Sequence, residues 1–529
     1  MYVPIKKHLS TALLSGALLS GCASVKPPTG GPKDEKAPVL TESNPANNST
    51  NFKGKVVKLE FDEDVELNNL NTQLLITPYM NNNYTTHIKR NVLTLTFEKE
   101  LPPNTTISLN FREGIKDIHE ATNKTKDLKL AFSTGNSIDS LQWNGQILDF
   151  QTQKPQANTL VALYKLSDTL NIRKQAPYYI GRSNDAGQFD IANIAAGEYF
   201  ACAFDDKNNN YKYDERTESI GFLSENLKIQ KNESSEISLF MNDNTAPRFL
   251  RTRNVGKSVV FSFSEGLTYI QAAANPNTVF DQSEDKADIR MYPQNVDKLS
   301  KDSVEIGFTV RDSSDNQLVV KKRVLFDVNG NVDKTTTLST KPERNSVITP
   351  YQTIEIAYAS PITDSSFLQK VTVNPDSAGW KATKARLSGS KNTLIISNLP
   401  VFKKDISLIV PPVKLIKGNS TKADTLHYTP AIETNFGIIG GQVTSADKDF
   451  ILELVSEDFK VVQSVRNAKK FRFTYVPAGK YRLRLIVDKN QNGRWDAGSL
   501  DKKTQPEKVV IHKEVINLKA NWELEDFKL

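Results

Sequence analysis

One block of sequence occurs twice, in the middle of the chain and near its end, and it organises everything between. Ala196-Gly197-Glu198-Tyr199 is followed, seven residues after the tyrosine, by Asp206-Lys207-Asn208-Asn209-Asn210-Tyr211-Lys212-Tyr213-Asp214. Ala478-Gly479-Lys480-Tyr481 is followed at the same offset by Asp488-Lys489-Asn490-Gln491-Asn492-Gly493-Arg494-Trp495-Asp496. Agreement at so many offsets, with divergent residues between, marks a duplicated domain rather than two coincident loops. Each copy reads as a turn, a strand and a polar loop. Gly197 and Gly479 are expected to supply the positive φ of a tight turn before the strand.

At 529 residues the chain exceeds one core, and about 100 to 150 residues per domain predicts four or five domains. Hydrophobic residues make up 38% and charged residues 24%, with Pro and Gly spread throughout, which fits folded modules with many turns rather than a disordered polymer. A net charge of +7 without a Lys/Arg run interleaved with aromatics argues against nucleic acid as a partner.

Residues 1–21 read as a secretory signal peptide: Lys6, Lys7 and His8 precede an apolar run, Leu9 to Leu19, too short to span a bilayer. The run ends on Leu19-Ser20-Gly21-Cys22, which resembles the lipobox of bacterial lipoproteins. The resemblance implies that Cys22 becomes the lipidated first residue of the mature protein. Several acyl chains, at about 0.8 kcal/mol per buried methylene, anchor stably where one does not. Cys202 is then left without a partner; it shares a strand face with Phe200 and Phe204 and reads as a buried free thiol.

Residues 22–36 are the lipidated cysteine and a Pro/Gly/Lys-rich extended tether. Thr29-Gly30-Gly31-Pro32-Lys33-Asp34 resembles the tether of many Bacteroidota lipoproteins. In that group surface export goes with acidic residues close behind the lipidated cysteine. Here Asp34 and Glu35 lie well downstream, so the periplasmic and the outer face of the outer membrane both remain candidates.

Beyond the tether the pattern is all-β. Val57, Leu59 and Phe61 alternate with Lys58, Glu60 and Asp62, and Leu93, Leu95 and Phe97 alternate with Thr94 and Thr96. Period two with frequent turn residues predicts antiparallel β-sandwiches in tandem. Residues 37–136, with Phe61-Asp62-Glu63-Asp64-Val65, a Leu-Pro turn and a closing Ala131-Phe132-Ser133-Thr134, resemble the bacterial Ig-like domain first described in S-layer proteins. Residues 244–344, opening on Ala246-Pro247 and Val259 to Glu265, and residues 345–434, through Leu394-Ile395-Ile396 and Leu399-Pro400, resemble further Ig-like copies. Residues 137–243 carry Gly145-Gln146-Ile147, Asn184-Asp185-Ala186-Gly187 and Ala196-Gly197-Glu198-Tyr199 in the order found in carboxypeptidase-regulatory-like and collagen-adhesin B-type domains. Residues 435–529 keep Gly441-Gln442-Val443, Phe471 and Ala478-Gly479-Lys480-Tyr481 of that order but lack a clear Asp-x-Gly turn before Phe471. The resemblance implies a prealbumin-like sandwich for both.

The repeated loops are the site-like constellation. Oxygen side chains at relative positions 1, 3, 5 and 9 can converge on one hard cation. These are Asp206, Asn208, Asn210 and Asp214, with the Lys212 carbonyl, and Asp488, Asn490, Asn492 and Asp496, with the Arg494 carbonyl. The pattern resembles calcium loops of the EF-hand type, with Gly493 in the usual glycine place in the second copy only, and it makes Ca2+ the candidate cofactor. Position 12 is Thr217 or Ser499 instead of a bidentate glutamate, with Glu218 or Asp501 as substitutes. The competing reading is that Asp and Asn close Asx turns on their own backbone without metal.

No catalytic residue is assigned. His87, His119, His427 and His512 are scattered without paired-ligand spacing, and no G-x-S-x-G elbow occurs. Trp143, Trp380, Trp495 and Trp522 can stack on a sugar where exposed, although Trp143 and Trp380 sit in strand patterns. These resemblances, with no catalytic motif beside them, imply a non-catalytic, lipid-anchored outer-membrane spacer and interaction scaffold with envelope proteins or surface polymers as partners. A glycan-binding or adhesive surface lipoprotein is the alternative.

Overall fold

A computed structural model describes residues 34–529 apart from 168, 243, 273–277, 284, 294–302, 328, 330–336, 351, 375–384, 398, 400–401 and 417–418. Cys22, the leader and Trp380 lie outside the described residues. The chain divides into two units, Met1–Asp139 and Ser140–Leu529. Both are all-β, as the alternation predicts.

In the first unit the alternation translates directly into burial. Along Val56–Phe61 every second residue is buried, so that Val57, Leu59 and Phe61 face the core while Lys58 and Glu60 face water. Each such aliphatic or aromatic side chain stabilises the sandwich by about 1.5–3 kcal/mol. Leu40–Asn44, Val56–Phe61, Val92–Phe97 and Tyr84–Lys89 form one sheet in that order. Leu75–Thr77, Thr106–Arg112 and Leu128–Ser133 form the facing one, and Phe132, Leu109 and Leu95 meet between them.

The second unit holds four further modules. The second module of the chain is one curled sheet of eight strands. Its first strand, Leu141–Asp149, pairs antiparallel with Gln188–Ile194 and parallel with the last strand, Glu233–Met241. The fifth module repeats this detail: Gly437–Gln442 lies antiparallel to Lys470–Val476 and parallel to Glu523–Lys528. Parallel pairing of the terminal strands departs from the purely antiparallel pattern expected of a meander, and it explains two glycines. A Cβ on Gly145 would meet the Ser235 carbonyl oxygen at 1.8 Å, and one on Gly441 would meet that of Phe527 at 2.2 Å. Only glycine admits the last strand so closely.

Gly197 and Gly479 have a different role from the one expected. Neither has positive φ; both begin long strands, Gly197–Phe204 and Gly479–Val487. The Tyr199 ring lies over Gly197, 3.2 Å from where a Cβ would stand, and its hydroxyl donates to the Ala195 carbonyl at 2.9 Å. Tyr481 lies over Gly479 in the same way and donates to the Pro477 carbonyl at 2.7 Å. The A-G-x-Y motif is a tyrosine folded back on its own turn, with the glycine leaving room for the ring. Cys202 is fully buried with Phe200 and Phe204, and burial pushes its thiol far above the ordinary range, so it is inert.

The third module packs Phe249–Val255, Ser258–Phe263, Asp288–Pro293 and Thr278–Gln282 over Tyr269–Ala272, Val304–Arg311 and Gln317–Val324. Phe261 and Phe308 meet edge to face at 5.0 Å in its core. The fourth module begins earlier than a division at residues 344 and 345 allows. Thr337–Lys341 pairs with Ile354–Tyr358 as an edge strand of the fourth module's sheet. The segment Pro342 to Ser346 is thus a turn inside that module, held by Arg344 against Asp424.

Candidate functional site

Each repeated loop leaves the end of a long central strand. In the second module Phe204 ends the strand and Asp206 opens the loop; in the fifth, Val487 is followed at once by Asp488. Both aspartates are buried, at 4% and 5% exposure. Asp206 Oδ1 accepts the backbone N–H of Asn210 at 3.0 Å, and Asp488 Oδ1 accepts that of Asn492, also at 3.0 Å. Asn208 accepts from the N–H of Asn210, and Asn210 from that of Lys212, with the same steps from Asn490 to Asn492 and from Asn492 to Arg494. These are the local Asx bonds of a braced turn, and they leave the second lone pairs of the oxygens free.

The third carboxylate of each loop is reached by different routes. Glu218, completely buried, accepts the N–H of Lys207 at 3.1 Å and of Asp214 at 2.8 Å. In the fifth module Glu507 accepts the N–H groups of Lys489 at 2.8 Å and Asp496 at 3.2 Å, which are the corresponding positions. Glu218 follows Asp214 closely, whereas Glu507 arrives after a longer excursion through Leu500 and Gln505. Two loops of unequal length thus bring a glutamate to the same pair of amides. Sequence reasoning named Glu218 as a substitute ligand but missed Glu507, which no fixed spacing could have signalled.

Burial first, and then Asp206 and Asp214, push the Glu218 carboxyl above its ordinary range, against the pull of the two N–H donors. Burial likewise raises Glu507, whose neighbours Asp496 and Asp488 act in the same sense. An acid with a raised folded-state pKa binds its proton more tightly when folded. Its contribution is complete below the unfolded pKa and is lost as pH rises through the folded one. In cation-free buffer the melting temperature of the wild type, relative to the Glu218→Gln, Glu507→Gln variant, is therefore expected to rise on acidification from neutrality toward the ordinary glutamate pKa of about 4.3. A difference independent of pH between 7 and 5 would contradict the raised values.

The two loops differ in what meets the first aspartate. Arg182 places Nη2 2.9 Å from Asp206 Oδ2 and 2.9 Å from Asn209 Oδ1; the arginine side chain is 3% exposed and the aspartate's is fully buried. Asp488 Oδ2 instead accepts the N–H of Gly493 at 2.9 Å. The side chains of Asn490, Asn492 and Asp496 converge there: both amides donate to Asp496 Oδ2, at 2.5 Å and 2.7 Å. Positions 3, 5 and 9 are thus gathered at one point in the second loop.

The loops also join their modules. Arg173 forms a fork on Glu215 of the first loop, at 2.8 Å and 3.1 Å, and reaches Asp501 of the second at 3.0 Å. Asn244 donates to both carboxylates, and Gln505 donates to the Phe222 carbonyl at 2.7 Å. Asp501, a substitute metal ligand by spacing, is thus engaged by the other module. Trp495 packs on Phe150 with ring centroids 5.8 Å apart, and Arg494 bonds Asp315 of the third module at 2.7 Å. Tyr213 is buried beside Phe204.

Trp143 is core, its Nε1 donating to Ser235 Oγ, while Trp522 is 45% exposed with Lys519 over one face of its ring. One further cluster, absent from the sequence reading, joins Asp34, Glu63 and Asp117 in the first unit, with ligand oxygens within 4.8 Å of one another. Burial, then Asp117 and Asp34, raise the Glu63 carboxyl.

Residues 34–134 match the family model of the bacterial Ig-like domain. No curated protein sequence matches the chain. Solved structures with some likeness include the Bacillus anthracis TIE protein, at 9% identity over 95% of this chain and 75% of that one, with a TM-score of 0.14. Others are BcpA, the major pilin subunit of Bacillus cereus, at 9% over 74% and 98% with 0.14, and dimeric latent PorU from Porphyromonas gingivalis, at 9% over 67% and 46% with 0.24. Likeness at this level assigns neither partner nor activity. The chain is a tandem of β-sandwich modules that includes a bacterial Ig-like domain, an architecture consistent with a non-catalytic structural role.

Proposed function

We propose that this protein is a lipid-anchored, non-catalytic scaffold of the outer membrane, in which sandwich modules set positions for partner proteins or surface polymers. The observation that carries the reading is the use made of the repeated polar residues. Asp, Asn, Glu and Arg side chains of both loops brace their own backbone and tie the second module to the fifth, so that they fix geometry. Calcium is the proposed cofactor of this bracing, because the loops' carboxylates and Asn side-chain oxygens are the ligand types that a hard cation takes. Cys22 is the proposed attachment to the lipid. Among the described residues the exposed aromatics Trp522, Tyr269 and Tyr79 fall one to a module, which favours the scaffold over glycan binding.

The anchor is tested by growing cells with a radiolabelled fatty acid and fractionating their membranes. Label on the wild-type protein in the outer membrane, lost with Cys22→Ser, is the expected result. Unlabelled protein, released into the soluble fraction, would overturn the anchored reading.

A further inference from the structure

The two loops are an internal comparison within one chain, and one arginine position separates them. Leu160 pairs with Phe204 on one side and Arg182 on the other. Ile451 pairs with Ile486 on one side and Arg466 on the other. Phe204 and Ile486 each precede the first loop aspartate by two residues, so Arg182 and Arg466 occupy one register position. Their side chains go to different places. Arg182 is enclosed, bonding Asp206, Asn209 and the Asn158 carbonyl. Arg466 is exposed and lies outside its loop, donating to the Gly493 carbonyl at 2.9 Å.

Gly493 explains the divergence. It has φ +82, and a Cβ there would stand 1.9 Å from Arg466 Nη2. Arg466 thus lies against the bare Cα of Gly493, and a side chain at that residue would push its guanidinium end aside. The corresponding residue of the first loop is Tyr211, also at positive φ, and any side chain there claims the same space. The arginine of the second module is directed inward instead, onto Asp206.

We infer that Arg182 is the resident cation of the first loop, and that the second loop, whose arginine is held outside by way of Gly493, takes a free divalent cation in its place. This deepens the cation reading given above and rests on it. A guanidinium sealed against Asp206 satisfies the charge that Asp488 retains. The carboxylates of Asp488, Asp496 and Glu507 and the amide oxygens of Asn490 and Asn492 are oxygen ligands once the two amide N–H groups release Asp496, and calcium is the hard cation suited to that set, at an affinity of about 0.1–1 mM. The second module is then independent of divalent ions and the fifth depends on them.

Calcium is titrated calorimetrically into the whole mature chain carrying Cys22→Ser, and sites are counted by their loss in aspartate variants. The wild type is expected to show one site abolished by Asp488→Ala and none abolished by Asp206→Ala. Arg182→Gln is expected to add a second site, abolished by Asp206→Ala, whereas Arg182→Lys adds none. Two wild-type sites, one dependent on each aspartate, would overturn the inference and leave the cation reading standing. So would an Arg182→Gln chain that folds and gains nothing. Absence of an Asp488-dependent site would remove the cation reading itself. Should Arg182→Gln fail to fold, Gly493→Tyr gives the reciprocal test: it directs Arg466 inward and weakens the Asp488-dependent site at least tenfold, and unchanged affinity would contradict the account.

Discussion

Arg182→Ala is expected to destabilise the second module by about 3–5 kcal/mol in cation-free buffer, because it strands a buried carboxylate whose charge partner is gone. Both groups are sealed from water, the arginine side chain at 3% exposure and Asp206 at none, so solvent cannot take over the role. Arg466→Ala is the matched control. Arg466 sits at the same register position but is exposed and bonds only a carbonyl, so its removal should stay within about 0.5 kcal/mol. The measurement is thermal melting of both variants in chelator and again in millimolar calcium. Part of the Arg182→Ala loss should return with calcium, since the ion can enter the place the guanidinium leaves. Equal effects of the two substitutions would show that burial of the pair contributes nothing.

Much of the fold was legible because a half-buried strand writes its geometry in period two. Val57, Leu59 and Phe61, or Leu93, Leu95 and Phe97, could hardly be read otherwise, and all are buried. Features set by contacts distant in sequence were not legible. The parallel pairing of Leu141–Asp149 with Glu233–Met241 leaves only the trace of Gly145, whose need for a bare Cα cannot be told from that of a turn glycine. Gly197 and Gly479 were open to the same confusion. Their purpose lies in the tyrosine two residues on, which a rule about glycine alone does not consider.

The candidate loops were legible as polar repeats, and the asymmetry between them was not. Local spacing identifies Asp206 and Asp488 as equivalent, but the residue that separates them is an arginine on a neighbouring strand. Nor did the sequence show that the loops hold two modules together. Arg173, Glu215, Asn244 and Asp501 are isolated polar residues with no periodic pattern, and a charged surface residue looks the same whether it faces water or a partner.

The contact itself should be sensitive to a single charge reversal. Arg173→Glu replaces the shared cation by a third carboxylate between Glu215 and Asp501. Losing a half-exposed ion network costs about 1–2 kcal/mol, and like-charge repulsion adds to it. Lys154 Nζ lies 5.0 Å from the centre of the Phe459 ring, so these two positions report on the docking of the second module against the fifth. The measurement that tests the account most directly is thiol cross-linking of the Cys22→Ser, Lys154→Cys, Phe459→Cys chain with a short bifunctional reagent. Cys202 is fully buried and does not compete. The account predicts rapid cross-linking within single chains at low protein concentration, strongly reduced by Arg173→Glu. No intramolecular product, or a yield indifferent to Arg173→Glu, would contradict a scaffold whose repeated loops join its modules.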